Sequence, residues 1–177
     1  PDLRHWERLY NVQRNPDKQI KIGMVGKYVD LTESYKSLNE ALYHGGFACA
    51  GAVSIEYFDS EKLEDPSVLD AMDGVLVPHG FGSRGVEGKI RAIQYVRENE
   101  IPFLGICLGM QMACIEFARN VVGLEGANSS EMVDDSPHPV IDLMTDQQGV
   151  EDLGGTMRLG SYPCVLQPGS KSAEAYG

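Results

Sequence analysis

Four short apolar runs, separated by stretches whose apolar residues recur at helical intervals, constrain this chain more than any other feature. Ile20, Ile22 and Met24 alternate ahead of Gly26, and Val53, Ile55 and Tyr57 alternate again, the period of a strand. GVLVP (74–78) reads as a short buried strand, and IPFLGI (101–106) marks another strand. Between the first two runs, Leu31, Tyr35, Leu38 and Leu42 sit at helical spacing, with Gly45 and Gly46 read as the stop. Asp65-Pro66 reads as a cap with proline at the first helical position, and Ile90, Ile93 and Val96 mark another helix. Helix alternating with strand implies parallel pairing through right-handed crossovers. The expected fold is therefore α/β, an open, mostly parallel sheet with helices on both faces, a flavodoxin-like three-layer arrangement. Chemistry in such sheets sits at the carboxyl ends of the strands.

The flanks are less regular. Leu3, Trp6, Leu9 and Tyr10 predict a short helix, followed by a linker through Asn15, Pro16 and Asp17. Beyond Arg119 the segment Gly123 to Asp135 is polar and loop-like, PVIDLM (139–144) reads as a strand, and LGGTMRLGSYPCVL (153–166) could form a hairpin. The final run from Gly169 to Gly177 carries no helix or strand pattern, and the chain opens at Pro1 without Met, so it reads as a fragment.

At 177 residues the chain can bury one substantial core. Its net charge of −11, from 26 acidic against 15 basic residues, repels a phosphate backbone and argues against a nucleic-acid partner. No apolar run approaches bilayer length and no signal-peptide segment is present, so a cytoplasmic protein without a membrane partner is expected. Cys49, Cys107, Cys114 and Cys164 lack the paired spacing of a metal site, which predicts reduced thiols and no metal.

Gly105-Ile106-Cys107-Leu108-Gly109 lies between the strand IPFLGI and a run in which Met110, Ala113, Cys114 and Phe117 recur at helical spacing. Two readings fit the thiol taken alone: a small buried residue in an apolar turn, or a nucleophile on a strained elbow. An elbow needs small residues on both sides, which Gly105 and Gly109 supply. The thiol would then project at the strand's carboxyl end, beside a helix N-terminus that favours negative charge, with the Leu108 amide aimed at a developing oxyanion. Cys49 and Cys114, by contrast, read as core positions. Val77-Pro78-His79-Gly80-Phe81-Gly82 leaves the preceding strand as a glycine-rich turn able to offer a second oxyanion donor.

LGICLGMQ (104–111) resembles the elbow of class I, triad-type glutamine amidotransferases. KIGMVGKYVDLTESYKSLNEAL, PHGFGSRGVEGKI, ANSSE and GGTMRLG resemble successive blocks in the glutaminase domain of the CTP synthase family, and DLRHWERL resembles the linker arriving from that family's synthetase domain. The resemblance implies an interdomain linker over 1–18 and a glutamine amidotransferase domain, C-terminally incomplete, over 19–177. It also implies an activity: attack by Cys107 on L-glutamine, a thioester, and ammonia for the ATP-dependent amination of UTP to CTP. Gly80 and Leu108 match the oxyanion-hole amides, and these two with Phe81, Gln111 and Glu131 match the glutamine-binding residues. Arg84, Gly85 and Glu87 match a lid linked to activation by GTP. No cofactor is expected in this domain, since ATP and Mg²⁺ serve the synthetase domain, and the whole enzyme is expected to be a homo-oligomer.

Two departures stand out. His79 occupies a position the family gives to glycine, and its side chain would be strained if the turn required positive φ. The family's base and orienting carboxylate sit in an H-x-E motif near the C-terminus, and none occurs there in these residues: His138 is followed by Pro139 and Val140, and His5, ahead of Trp6 and Glu7, lies in the linker. The alternative is a non-catalytic regulatory or interaction domain that keeps the amidotransferase fold.

Overall fold

The computed structural model describes residues 2–29, 31–144 and 163–177. Two compact units divide the chain, Pro1–Asp142 and Leu143–Gly177. In the first, a four-stranded parallel sheet has the order β2-β1-β3-β4, formed by β1 (Lys18–Gly26), β2 (Gly51–Asp59), β3 (Gly74–Val77) and β4 (Phe103–Gly105). β1 is central, and its register with β2 runs unbroken from Lys18↔Gly51 to Gly26↔Asp59.

Alternation along the central strands sorts the core into two layers, as period-2 side-chain geometry requires. Met24 and Leu76 turn to one face, where they join Tyr35 and the half-buried Leu38 and Leu42 around α2 (Lys36–Ala48). Val25, Val75 and Val77 turn to the other, against Ile90, Ile93 and Val96 of α3 (Val86–Glu98) and Leu108, Met112 and Ile115 of α4 (Leu108–Phe117). Helices cover both faces, as expected. The opening helix α1 (Arg4–Arg14) buries none of its residues, and Leu3, Trp6 and Tyr10 remain exposed.

Several local expectations give way. Gly45 and Gly46 lie inside α2; a Cβ on Gly46 would come within 2.7 Å of Val53 Cγ2 and 2.9 Å of the Gly51 carbonyl, so this glycine permits helix and strand to approach. Asp65 does cap, accepting from the Ser67 amide at 2.9 Å, but it starts a 3₁₀ turn, Pro66–Ala71. α4 does not bury the face that carries Met110, Cys114 and Phe117: all three are exposed, and Leu108, Met112, Ile115 and Glu116 point inward. Cys49 is exposed as well, so neither thiol read as a core position is one. The segment read as a loop from Gly123 contains β5 (Asn128–Ser129), which pairs with β6 (Pro139–Ile141).

In the second unit Ser170 caps α5 (Lys171–Tyr176), its hydroxyl accepting from the Ala173 amide at 3.2 Å, within the run expected to lack a helix. GGTMRLG and most of the suggested hairpin fall outside the described residues. No described helix is long and apolar enough to cross a membrane.

Candidate active site

β4 ends at Gly105 and α4 begins at Leu108, leaving two residues to reverse the chain. Cys107 takes the strain, with φ 56° and ψ −111°. Such a conformation is sparsely populated by residues with a Cβ and persists only where the surroundings impose it. Here they do. A Cβ on Gly105 would lie 2.6 Å from the Gly109 carbonyl carbon, and one on Gly109 would lie 2.0 Å from the Val77 carbonyl oxygen. The first turn of α4 thus meets β4 at Gly105 and β3 at Gly109, two positions that leave no room for a Cβ. Backbone bonds close the turn: the Ile106 amide donates to Val77 O at 3.0 Å, Gly109 to Ile106 O at 3.0 Å, and Gln111 to Cys107 O at 3.1 Å. The thiol is exposed.

Leu108, as the first residue of α4, has no intrahelical acceptor for its N–H, and the helix's positive end faces the same way. Its side chain is buried against the second loop: a Cβ on Gly80 would meet Leu108 Cδ2 at 3.2 Å. The structure therefore brings Cys107, Leu108, Gly80 and Gln111 together through the junction of β3, β4 and α4.

The 79–82 loop is anchored at three points. His79 stacks edge-on to buried Tyr35, with centroids 5.6 Å apart. Gly80 rests on Leu108. Lys27, the residue after β1, donates through Nζ to the Phe81 carbonyl, while its stem lies 3.8 Å from a Cβ built on Gly80. His79 does not have positive φ; in this loop that conformation falls at Gly82 (69°) and then at Gly85 (72°). His79 is therefore unstrained, contrary to expectation, because the turn reverses three residues later at Gly82. Phe81 projects outward with 73% of its surface exposed.

The remaining candidates lie further along the chain. Arg84 pairs with Glu61 at 3.3 Å, and Gly85 is the N-cap of α3, tight against Ser60. Glu87 receives two 3.1 Å bonds from Arg119, whose Nε also donates to Ala127 O at 2.6 Å. Arg84 and Glu87 are thus held by ion pairs in this conformation. Glu131 is exposed on the turn after β5, its amide donating to Ser129 Oγ at 3.2 Å.

Lys27, Tyr35 and Arg119 were not among the candidate site residues of the sequence, Tyr35 figuring there only in a helical run. Only Lys27 had a usable signal, its place directly after the glycine that ends the central strand, where parallel sheets put their chemistry.

Known proteins resemble this chain in both sequence and fold. Residues 30–176 match the family Glutamine amidotransferase class-I. The whole chain aligns at 58% identity with the CTP synthase of Carboxydothermus hydrogenoformans and at 54% with that of Syntrophus aciditrophicus. It spans about a third, 34%, of the length of each. Among solved structures, the glutaminase domain of Trypanosoma brucei CTPS with bound acivicin superposes with a TM-score of 0.69 at 41% identity, over 73% of this chain and 52% of that one.

Proposed function

The chain belongs to the class I glutamine amidotransferases, and on that premise we propose that it is the glutaminase segment of a CTP synthase, hydrolysing L-glutamine with Cys107 as nucleophile. The observation that carries the proposal is the backbone of Cys107, held at positive φ between two glycines that nothing larger could replace. Strain of this kind is kept where it aims a reactive atom.

The chemistry follows from the arrangement. The Cys107 sulfur attacks the side-chain carbonyl carbon of glutamine, and the carbonyl electrons move onto its oxygen. The Leu108 amide, unused by its helix, and the amide of Gly80, a residue that rests on the Leu108 side chain, supply donors for that oxyanion. Collapse expels the nitrogen as ammonia once it has been protonated, and water then cleaves the glutamyl thioester to glutamate and free thiol. Gln111, one turn along α4 from Cys107, Phe81 and Glu131 serve as substrate contacts, Glu131 through the α-ammonium. Since the relatives are about three times as long, the ammonia is consumed by a synthetase portion that aminates UTP with ATP and Mg²⁺, under GTP control through Arg84, Gly85 and Glu87.

Brief exposure to a glutamine-like chloroketone, followed by peptide mapping, tests the nucleophile. Four exposed thiols, Cys49, Cys107, Cys114 and Cys164, compete for the reagent. Labelling confined to Cys107 and suppressed by glutamine is the expected result; preferential labelling of another cysteine removes Cys107 from the role.

A further inference from the structure

We propose that Lys27 is a positioning residue of the oxyanion loop, holding the Gly80 amide region in register with Cys107; this rests on the reading of Gly80 and Leu108 given above. A loop with glycine at positions 80 and 82 has little intrinsic preference for one peptide orientation. Phe81, the residue between them, cannot hold it by packing, because its ring lies in solvent. Oxyanion donors work only when their orientation is set before charge develops. Something outside the loop must set it.

Lys27 is placed for that task. It follows the last residue of central strand β1, which is level with the end of β3 from which the loop departs: a Cβ on Gly26 would be 3.3 Å from Pro78 Cγ. Lys27 Cε lies 3.8 Å from a Cβ built on Gly80, and its ammonium donates to the carbonyl of Phe81, fixing the planar Phe81–Gly82 peptide. Among the described residues no carboxylate lies within ion-pair distance of Lys27; its other charge-bearing face lies over the Tyr28 ring, 5.3 Å from the centroid. A lysine serving only solubility would have no reason to spend its head group on a loop carbonyl.

The test uses the full-length protein, with Lys27→Met, Lys27→Arg and Cys107→Ala, in steady-state glutaminase assays. Lys27→Met keeps the stem and removes the donor. It should lower kcat by about 10- to 100-fold, a fraction of the loss from deleting an oxyanion donor. KM should stay within about threefold, since the interaction matters most in the transition state. Alkylation of Cys107 by iodoacetamide, which forms no oxyanion, should keep its wild-type rate, and Lys27→Arg should recover most of kcat. An unchanged kcat in Lys27→Met overturns the proposal, as does a rise in KM alone. A parallel fall in iodoacetamide reactivity also overturns it, by showing general disruption of the elbow. Cys107→Ala separates the two levels of argument: turnover surviving in that variant sinks the underlying site reading, whereas turnover lost there but intact in Lys27→Met sinks only the role of Lys27.

Discussion

Cys107 adopts its strained backbone because three elements converge on it with no room for side chains, and that convergence was legible in the residues. Gly-x-Cys-x-Gly after an apolar run is interpretable because the steric demand is local. His79 was not legible in the same way. Its conformation depends on where the loop reverses, and the reversal at Gly82 and Gly85 leaves His79 free to pack its ring on Tyr35. His79→Gly should therefore bring no gain in glutamine hydrolysis, and should lower it if the ring contact steadies the loop; a severalfold increase in a steady-state assay would restore the strain argument. Lys89 poses a different residue-scale problem. It is 1% exposed, its ammonium has no hydrogen-bond partner among the described residues, and burial, reinforced by the charge of Lys27, pushes its pKa down to about 8 from 10.5. The unfolded chain binds more protons than the folded one between those two values, so through this group stability rises with pH from about 8 to 10.5, and the penalty is full below pH 8. Lys89→Met should stabilise the fold at neutral pH by on the order of 1–3 kcal/mol and flatten that rise. Urea midpoints across the pH series check both effects, and an unaltered pH profile would show that Lys89 is not the titrating group.

At the scale of elements, the four strands of the parallel sheet and α3 were readable because their patterns are clean: Ile90, Ile93 and Val96 are buried as their spacing implied. α4 was misread because it is apolar nearly all round, so spacing could not say which face the sheet would take. The 3₁₀ turn after Asp65 and the helix after Ser170 are short pieces governed by single caps, which periodicity over a long window cannot see. The junction of α4 with β3 gives the sharpest prediction. Gly109→Ala would press a methyl group into the Val77 carbonyl, where the strand cannot retreat without breaking sheet pairing. A loss of about 3 kcal/mol or more is expected from denaturant unfolding, with slower labelling of Cys107 in the protein that remains folded. A loss under about 1 kcal/mol would mean the elbow is more compliant than its geometry suggests. Arg119 ties α3 to the segment leading to β5, through Glu87 and Ala127. Arg119→Ala leaves the Ala127 carbonyl, in a fully buried residue, without that donor, and should cost about 1–3 kcal/mol.

For the whole molecule, composition and charge could exclude classes of partner but not name a reaction; that required particular blocks of sequence, and the family match over 30–176 agrees with them. The acid–base pair of the family's H-x-E motif was legible only as a mismatch: His44, His79 and His138 are not followed by x-Glu, and His5-Trp6-Glu7, which has that spacing, sits on α1 at the other end of the sequence from the family's motif. Proton transfer by a positioned group contributes about 10²- to 10⁴-fold. A protein of these 177 residues alone should therefore react once at Cys107 yet release ammonia at least about 100-fold more slowly than the full-length protein. Equal rates would place the base among His5, His44, His79 and His138. The central claim, that Cys107 carries the glutamyl group, is tested most directly by mixing full-length protein with glutamine, quenching in acid within the first turnovers, and mapping the adduct by mass spectrometry. The account predicts a glutamyl adduct on Cys107 alone, absent in Cys107→Ala together with ammonia release. An adduct on another residue, or ammonia release that persists in Cys107→Ala, would contradict it.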